Sequence, residues 1–365
     1  FKMRIEKLDG LRGFCSLMVV FYHYPQTFLP DFIFSNFFIR ESWSFVDFFF
    51  VLSGFVISYN YSTLSSFNDF WLYIKKRFIR LYPLLFFTTI VFLFFKVFSD
   101  NFFPELVSSS KSVKLYLMDT CNTLLLLNST PVFGEMSKYL GMNHPSWSVS
   151  AEFISYVLFG LSSLFLFNKK KFFSFVTIFF CIVVYVAKEQ FSFSNYTWFF
   201  LRGIIGFNIG CFVYWLFTIK FSIKNNLELI LPILIVTVSY LFHSYEFSFK
   251  GVVNLIFRPI FFGFIILVLL KTNHHFSKFL ESKPLKFLGK ISYSIYLNHI
   301  LFLLILPRII FKFFGLPQSS FSEFMVLSLT ILFVILYSTL TYVYIESAFG
   351  KTLRSRFKVK SSCDS

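Results

Sequence analysis

The chain contains 365 residues, of which 56% are hydrophobic and 14% are charged, and its mean hydropathy is +0.69. These values exclude a soluble globular domain, and they indicate a polytopic membrane protein. The formal net charge of +16 is explained by cationic loops that collect on one side of a membrane, so no nucleic-acid partner is needed.

Apolar runs of about 20 residues, each long enough to cross a hydrocarbon core, recur along the chain. They predict ten helices in an all-α transmembrane bundle, at residues 11–29, 43–61, 81–98, 146–167, 172–187, 197–218, 227–244, 252–270, 291–310 and 323–345. A shorter apolar run at residues 115–127 is interrupted by Asp119. We expect this run to be interfacial or re-entrant, or to form half of a broken helix.

Basic residues are concentrated in alternate loops of this arrangement. With a cytoplasmic N-terminus, the basic clusters all fall on the cytoplasmic side, at residues 75–80, 169–171, 220–224, 271–290 and 351–360. This is the pattern of the positive-inside rule, so we predict that both termini are cytoplasmic. No linker, repeat or cleavable signal peptide is apparent, and we expect one membrane domain over residues 1–350 followed by a basic tail at 351–365.

Two ionisable residues lie inside the first predicted span. Arg12 and His23 are eleven residues apart, which corresponds to about three helical turns and roughly 16 Å of rise, so both side chains lie on one stripe of the helix. Ionisable groups at membrane depth are costly and usually functional. The alternative is that Arg12 extends to the interface while His23 bonds a neighbouring helix.

The cysteines and most histidines indicate neither a disulfide framework nor a metal site. The five cysteines are scattered and lie mostly in predicted helices, as expected of small packing residues, at Cys15, Cys121, Cys181, Cys211 and Cys363. Four histidines lack partners at metal-ligand spacing, namely His144, His243, His274 and His275. We therefore predict no metal site.

Five motifs follow one another along the chain. They are residues 8–13 (LDGLRG) followed by His23, 46–55 (VDFFFVLSGF), 77–83 (RFIRLYP), 147–153 (WSVSAEF) and 288–299 (LGKISYSIYLNH). In this order they resemble the signatures of the acyltransferase family 3 membrane proteins. Because the motifs extend over nearly the whole chain, the sequence is identified as a member of this family.

The resemblance implies a membrane-bound O-acyltransferase of the bacterial inner membrane. Members of this family commonly move acetyl groups from cytoplasmic acetyl-CoA onto carbohydrate hydroxyls at or beyond the outer face. We therefore expect acetyl-CoA as the donor substrate, a glycan as the acceptor, and contacts with membrane lipid. Some members add an extracytoplasmic hydrolase-like domain, whereas here we expect the acceptor chemistry to rest on the membrane domain.

Acyl transfer to an alcohol needs a group that removes the hydroxyl proton, and His23 is the candidate base. In a core about 30 Å thick the predicted depths of His23 and Glu152 nearly coincide, and Asp47 falls in the same outer half. We predict that all three are catalytic. Either carboxylate could hold the second ring nitrogen of His23, and the sequence does not choose between them. His23 could also act as a nucleophile and form an acyl-histidine.

Three arginines are the candidate binding residues for the donor. Arg77 and Arg80 are three residues apart, so one helical turn would project both toward the cytoplasmic interface, where guanidinium groups can hold the phosphates of CoA. The positive-inside rule is the alternative explanation for both. Arg12 would line the route toward the candidate base, with Asp9 or Glu346 as an alternative partner.

Five further residues within these motifs have possible roles. Ser148 and Tyr296 could donate hydrogen bonds to a developing oxyanion. Ser53 and Gly54 could admit a thin substrate arm, or could simply allow close helix packing. We expect His299 to form an interhelical hydrogen bond.

A different class of membrane protein would show the same spans. In a permease or flippase, His23, Glu152 and Arg202 could form a proton relay or a substrate path. No inverted repeat is visible in the sequence, and saturable binding of a CoA thioester would distinguish an enzyme from a transporter.

Overall fold

The computed structural model describes residues 5–61, 64–102, 112–132, 141–166, 169–190, 198–245 and 250–357. Over these ranges the chain is helical and contains no strand, which confirms the predicted all-α bundle. The helices, in order, are α1 (Glu6–His23), α2 (Asp31–Phe34), α3 (Phe37–Arg40), α4 (Phe45–Asn60), α5 (Phe67–Phe102), α6 (Val113–Leu124), α7 (Ser146–Phe165), α8 (Lys170–Gln190), α9 (Phe199–Thr218), α10 (Leu227–Ser244), α11 (Lys250–Lys271), α12 (His275–Leu280), α13 (Lys283–Arg308), α14 (Ser320–Thr341) and α15 (Gly350–Arg356).

The number of spans agrees closely with the number predicted from the sequence. In the described part of the chain, nine helices are long and apolar enough to cross a membrane, and they correspond to the second to tenth predicted spans. The first, α1, has only 18 residues and includes Glu6, Lys7, Asp9 and Arg12, so it is too polar to be counted by composition. That α1 crosses the membrane, as the first predicted span, and that the termini are cytoplasmic stay predictions.

Two helices differ from their predicted bounds for local reasons. The first was predicted to reach residue 29, but α1 ends at His23, where Tyr24 turns to an extended conformation and Pro25 follows. The third was predicted to begin at residue 81, but α5 already begins at Phe67. Ser66 caps this start, since its Oγ accepts a hydrogen bond from the backbone N–H of Asp69 at 3.1 Å. The basic residues at 75–80 are therefore helical rather than part of a loop.

The close contact of α1 with α13 sets the register of the candidate site. A Cβ atom at Gly289 would overlap the carbonyl oxygen of Asp9, and one at Gly13 would meet the backbone nitrogen of Gly289. The two backbones can touch only because these positions are glycines. Ten residues further along each helix, at the same level, lie His23 and His299. The two helices therefore run parallel.

The remaining predictions concern shorter segments. The run predicted at residues 115–127 forms the 12-residue helix α6, in which the Asp119 side chain is buried. Its interfacial or re-entrant position stays a prediction.

Toward the C-terminus, α14 continues through a π-helical segment, Tyr342–Phe349, into α15, so the predicted domain boundary at residue 350 falls inside a continuous helix. Part of the predicted tail, residues 358–365 with Cys363, lies outside the described residues; the other four cysteines are free thiols.

Candidate active site

A cavity of about 460 Å³ lies inside the bundle, and its lining extends along α4 from Asn60 to Val46. Asn60 is 14 positions after Val46, which corresponds to a rise of about 21 Å, most of the thickness of a hydrocarbon core. The cavity brings together seven of the side chains singled out in the sequence: Arg12, Arg77, Arg80, Ser53, Glu152, Ser148 and Tyr296.

Arg77 is held by tyrosines at the Asn60 end of this cavity. Its Nη2 donates to the hydroxyl of Tyr61 at 3.0 Å. The guanidinium carbon lies 5.1 Å from the ring centroid of Tyr61 and 6.0 Å from that of Tyr156. The Nε–H of Arg77 is buried and has no hydrogen-bond partner among the described residues. Arg80, one turn further along α5, is exposed and lines the same cavity.

Arg12 also lines the cavity, from α1. Its Nη2 donates to the carbonyl oxygen of Gly289 at 2.6 Å and lies 3.2 Å from Oδ1 of Asp9. The alternative pairing with Asp9 is thus present in the structure. Glu346 accepts a hydrogen bond from the hydroxyl of Ser294 at 3.0 Å and lies within electrostatic range of Arg12.

Glu152 lies in the middle of the cavity lining, on α7. One of its carboxylate oxygens, Oε1, accepts hydrogen bonds from Ser53 at 2.6 Å and from the hydroxyl of Tyr156 at 2.5 Å. The other oxygen, Oε2, has no hydrogen bond within the described ranges. Next to Ser53, Gly54 packs against the backbone of Phe207, so this glycine serves helix packing rather than the passage of a substrate arm.

Two hydroxyl groups mark the Val46 end of the cavity. The Oγ of Ser148 lies 2.8 Å from the hydroxyl oxygen of Tyr296, and it also lies 3.0 Å from the carbonyl oxygen of Pro145. The ring of Tyr296 is 6.1 Å from the ring of His299, which is one turn further along α13. Tyr296 therefore connects the cavity to the histidine pair.

His23 and His299 are hydrogen-bonded to each other. Nδ1 of His23 lies 3.0 Å from the carbonyl oxygen of Val19 and 3.3 Å from Nε2 of His299. Nδ1 of His299 lies 3.2 Å from the carbonyl oxygen of Ile295. Because a carbonyl oxygen can only accept, we assign a hydrogen to Nδ1 of each ring. The Nδ1 hydrogen of His23 is then shared between two acceptors, the carbonyl oxygen of Val19 and Nε2 of His299, and the lone pair of His23 lies on its Nε2.

This geometry corrects the predicted partner of His23. In the described part of the chain, neither Asp47 nor Glu152 is hydrogen-bonded to the His23 ring, and His299 occupies that position. The predicted interhelical bond of His299 is present, but its partner is the candidate base itself. Two features of the sequence indicated that His299 could lie beside His23. His299 ends the fifth motif, and it follows Gly289 by ten residues, just as His23 follows Gly13.

A third histidine approaches the pair from the segment before α7. The ring centroid of His144 lies 5.6 Å from that of His23, and the side chain is exposed. In the sequence His144 had no apparent partner, because the segment is distant from both helices along the chain. Among the residues described, no group of three or more His, Cys, Asp or Glu side chains is arranged to hold a metal ion.

Asp47 takes part in a different interaction. Its carboxylate is paired with Arg202 of α9, with Oδ1 2.6 Å from Nε and Oδ2 3.0 Å from Nη2. The Arg202 guanidinium lies 4.7 Å from the ring centroid of Trp43 and 5.7 Å from that of Trp147. Sequence reasoning missed Trp43, although two arginines inside apolar spans, Arg202 and Arg258, signalled that buried partners must exist.

Comparison with known proteins gives a consistent family match. Residues 5–343 match the model of a family described as an acyltransferase domain. The chain is also similar to the O-acetyltransferase OatA of Staphylococcus aureus, strains NCTC 8325 / PS 47, COL and MRSA252, with 26% identity over 371 aligned residues in each case. Each alignment covers 94% of this chain and 57% of the relative, so the chain spans little more than half the length of these relatives. No solved structure matches the chain.

Proposed function

Because the chain belongs to this acyltransferase family and is a multi-pass membrane enzyme, we propose that it transfers an acetyl group from cytoplasmic acetyl-CoA to a hydroxyl of a cell-surface or lipid-linked glycan. We place it in the bacterial inner membrane. One observation carries the proposal: a single cavity has three arginines at one end and leads, at the other, to Tyr296 beside the histidine pair. The permease or flippase alternative is set aside, since the chain is an acyltransferase.

The arginine end suits the nucleotide part of the donor. Guanidinium groups bind phosphate oxygens with short, charge-assisted hydrogen bonds. Arg80 is exposed in the cavity, and Arg77 has a buried Nε–H that a phosphate oxygen could satisfy. Arg12 lies beside the same route. In this proposal the linear arm of the donor follows α4, where the unbonded Oε2 of Glu152 would accept a hydrogen bond from an amide N–H of that arm.

The histidine end suits the transfer step. Nε2 of His23 would take the proton of the acceptor hydroxyl as its oxygen attacks the thioester carbonyl carbon. The carbon–sulfur bond then breaks, and the CoA thiolate receives that proton from the imidazolium. Ser148 and Tyr296 would stabilise the charge on the carbonyl oxygen, while His299 would keep His23 in the reactive tautomer. The same lone pair could instead attack the thioester first, which gives an acyl-histidine.

We expect transfer in inverted membrane vesicles, in which the arginine end of the cavity would face the medium. Labelled acetyl-CoA added outside should acetylate glycan in a saturable manner, and unlabelled CoA should compete. Right-side-out vesicles that hold the same amount of protein are the control and should not use external donor. Equal transfer in both orientations, or transfer that does not saturate, would contradict a donor site on the cytoplasmic face.

The hydrogen bond from His299 to His23 gives a second prediction. His299→Phe removes one of the two acceptors that face the Nδ1 hydrogen of His23 and leaves the carbonyl oxygen of Val19, so kcat should fall on the order of tenfold, as expected for one hydrogen bond. The KM for acetyl-CoA should not change. His299→Gln offers an amide oxygen in place of the ring nitrogen and should recover part of kcat. If both variants lose the same activity, His299 acts by packing alone.

A further inference from the structure

A second cavity, of about 360 Å³, lies at the C-terminal end of α1, the end that carries His23. Its size falls within the range of small-molecule sites, and polar groups make up much of its lining. Its lining shares no residue with that of the arginine-rich cavity. The side chains that define its chemistry are Tyr22, Gln26, Arg40, Glu41, Trp43 and His243.

One wall of this cavity is fixed by ionic contacts of Glu41 with two side chains from other helices. Glu41 lies 2.6 Å from Nη2 of Arg258 and 3.5 Å from Nδ1 of His243. The Arg258 guanidinium, whose side chain is 6% exposed, lies 4.5 Å from the ring centroid of Trp43. Charges held this way keep their positions without a ligand, as a preorganised binding site requires.

The same wall connects to Asp47. Arg202, the partner of Asp47, donates a hydrogen bond to the carbonyl oxygen of Trp43 at 3.3 Å. Trp43 thus lies against two arginines, each paired with a carboxylate from another part of the chain. This arrangement explains why an aspartate is buried near the outer end of α4 although it does not bond His23: it positions the wall of the second cavity.

Tyr22 lies between this cavity and the candidate base. Its ring lines the cavity and makes an edge contact with the His23 ring, with centroids 5.0 Å apart. The side chain is 41% exposed, so it can move without disturbing the core. A molecule bound in the cavity is therefore separated from His23 by a single aromatic ring.

We propose that this second cavity binds the acceptor as a neutral sugar ring; this inference rests on the proposed function. Sugar hydroxyls donate and accept, and the lining offers both partners: the Glu41 carboxylate accepts, while Arg40 and Gln26 donate. Aromatic rings such as Tyr22 pack against the C–H faces of sugars. Glu41 is already neutralised by Arg258, and the charge of Arg40 is screened because this side chain is exposed to solvent. The donors and acceptors of the lining therefore suit the hydroxyls of an uncharged polyol. Donor and acceptor then enter from opposite ends of the enzyme.

The test uses the full chain in detergent-permeabilised membranes, so that added donor and added acceptor both reach the enzyme, with Gln26→Ala and Arg40→Gln combined. Both side chains are exposed, so the variant should fold. The acceptor probe is polysaccharide from the expressing cells, de-esterified with mild base, and the donor is labelled acetyl-CoA. The KM for polysaccharide should rise on the order of tenfold, while the KM for acetyl-CoA should stay at the wild-type value.

Lys312→Gln is the matched control, because it removes one exposed positive charge on the same predicted face but outside the cavity. It should leave both KM values unchanged. An unchanged KM for polysaccharide in the double variant, or an equal rise in the control, would overturn the acceptor site and leave the proposed function intact. Absence of any transfer by the wild type, with the probe present, would instead refute the proposed function and the acceptor site with it.

Discussion

Replacing His23 with alanine should reduce acetyl transfer by about 10²- to 10⁴-fold, the usual contribution of a positioned general base. This loss is expected because His23 is held in the tautomer that carries its hydrogen on Nδ1. The carbonyl oxygen of Val19 and Nε2 of His299 both face Nδ1 of His23, so its Nε2 is left as a basic nitrogen for the acceptor proton. The measurement is transfer of labelled acetyl from acetyl-CoA to glycan in inverted vesicles.

The control is His275→Ala, which makes the same chemical change at an exposed position at the start of α12 and should transfer at the wild-type rate. Unchanged membrane insertion and unchanged saturable binding of labelled CoA would show that His23→Ala is folded. Near-normal transfer by that variant would remove the central assignment. Rapid quenching without acceptor adds a second result: label bound to wild-type protein but absent from the variant would identify an acyl-histidine, whereas unlabelled protein would support a general base.

The interiors of the helices were predictable because each depends on local composition. A run of apolar residues specifies a membrane helix regardless of its neighbours, and α10 was predicted at its observed bounds, Leu227–Ser244. The positions at which helices begin and end depend instead on single residues that cap or interrupt them. Pro25 follows the end of α1, and the Ser66 cap starts α5 well before its apolar part. Such signals are weak beside hydropathy, and the hydropathy pattern alone misplaces both ends.

The sequence predicted those parts of the candidate site that depend on the depth of each residue in the membrane. It did not predict the hydrogen-bond partner of His23. Arg77, Arg80 and Glu152 share one cavity because each lies at the right height on its own helix. The partner of His23 depends instead on which helix packs against α1. That choice is made by the contact of Gly13 with Gly289, which are 276 residues apart along the chain. The depths predicted from the sequence instead favoured Asp47 and Glu152 over His299. A depth estimate cannot show which side of a helix faces which neighbour.

Removing the two arginines of α5 should affect the donor and spare the transfer step. In Arg77→Ala with Arg80→Ala, the KM for acetyl-CoA should rise by about 10- to 100-fold, since a hydrogen bond to a charged group contributes about 1.5–3 kcal/mol. The KM for the acceptor should be unaffected, because neither residue lines the second cavity. The measurement is the initial rate against acetyl-CoA concentration in inverted vesicles, with competition by CoA as a direct test of nucleotide binding.

The matched control is Lys75→Ala with Lys76→Ala, which removes the same number of positive charges from the same helix. These lysines do not line the cavity, so the positive-inside rule and the phosphate role make opposite predictions. If the charges serve topology alone, both double variants should lose transfer together, through reduced or inverted insertion. If Arg77 and Arg80 bind phosphate, only their loss should weaken competition by CoA. A normal dependence on acetyl-CoA in the arginine variant would show that these residues set orientation and nothing more.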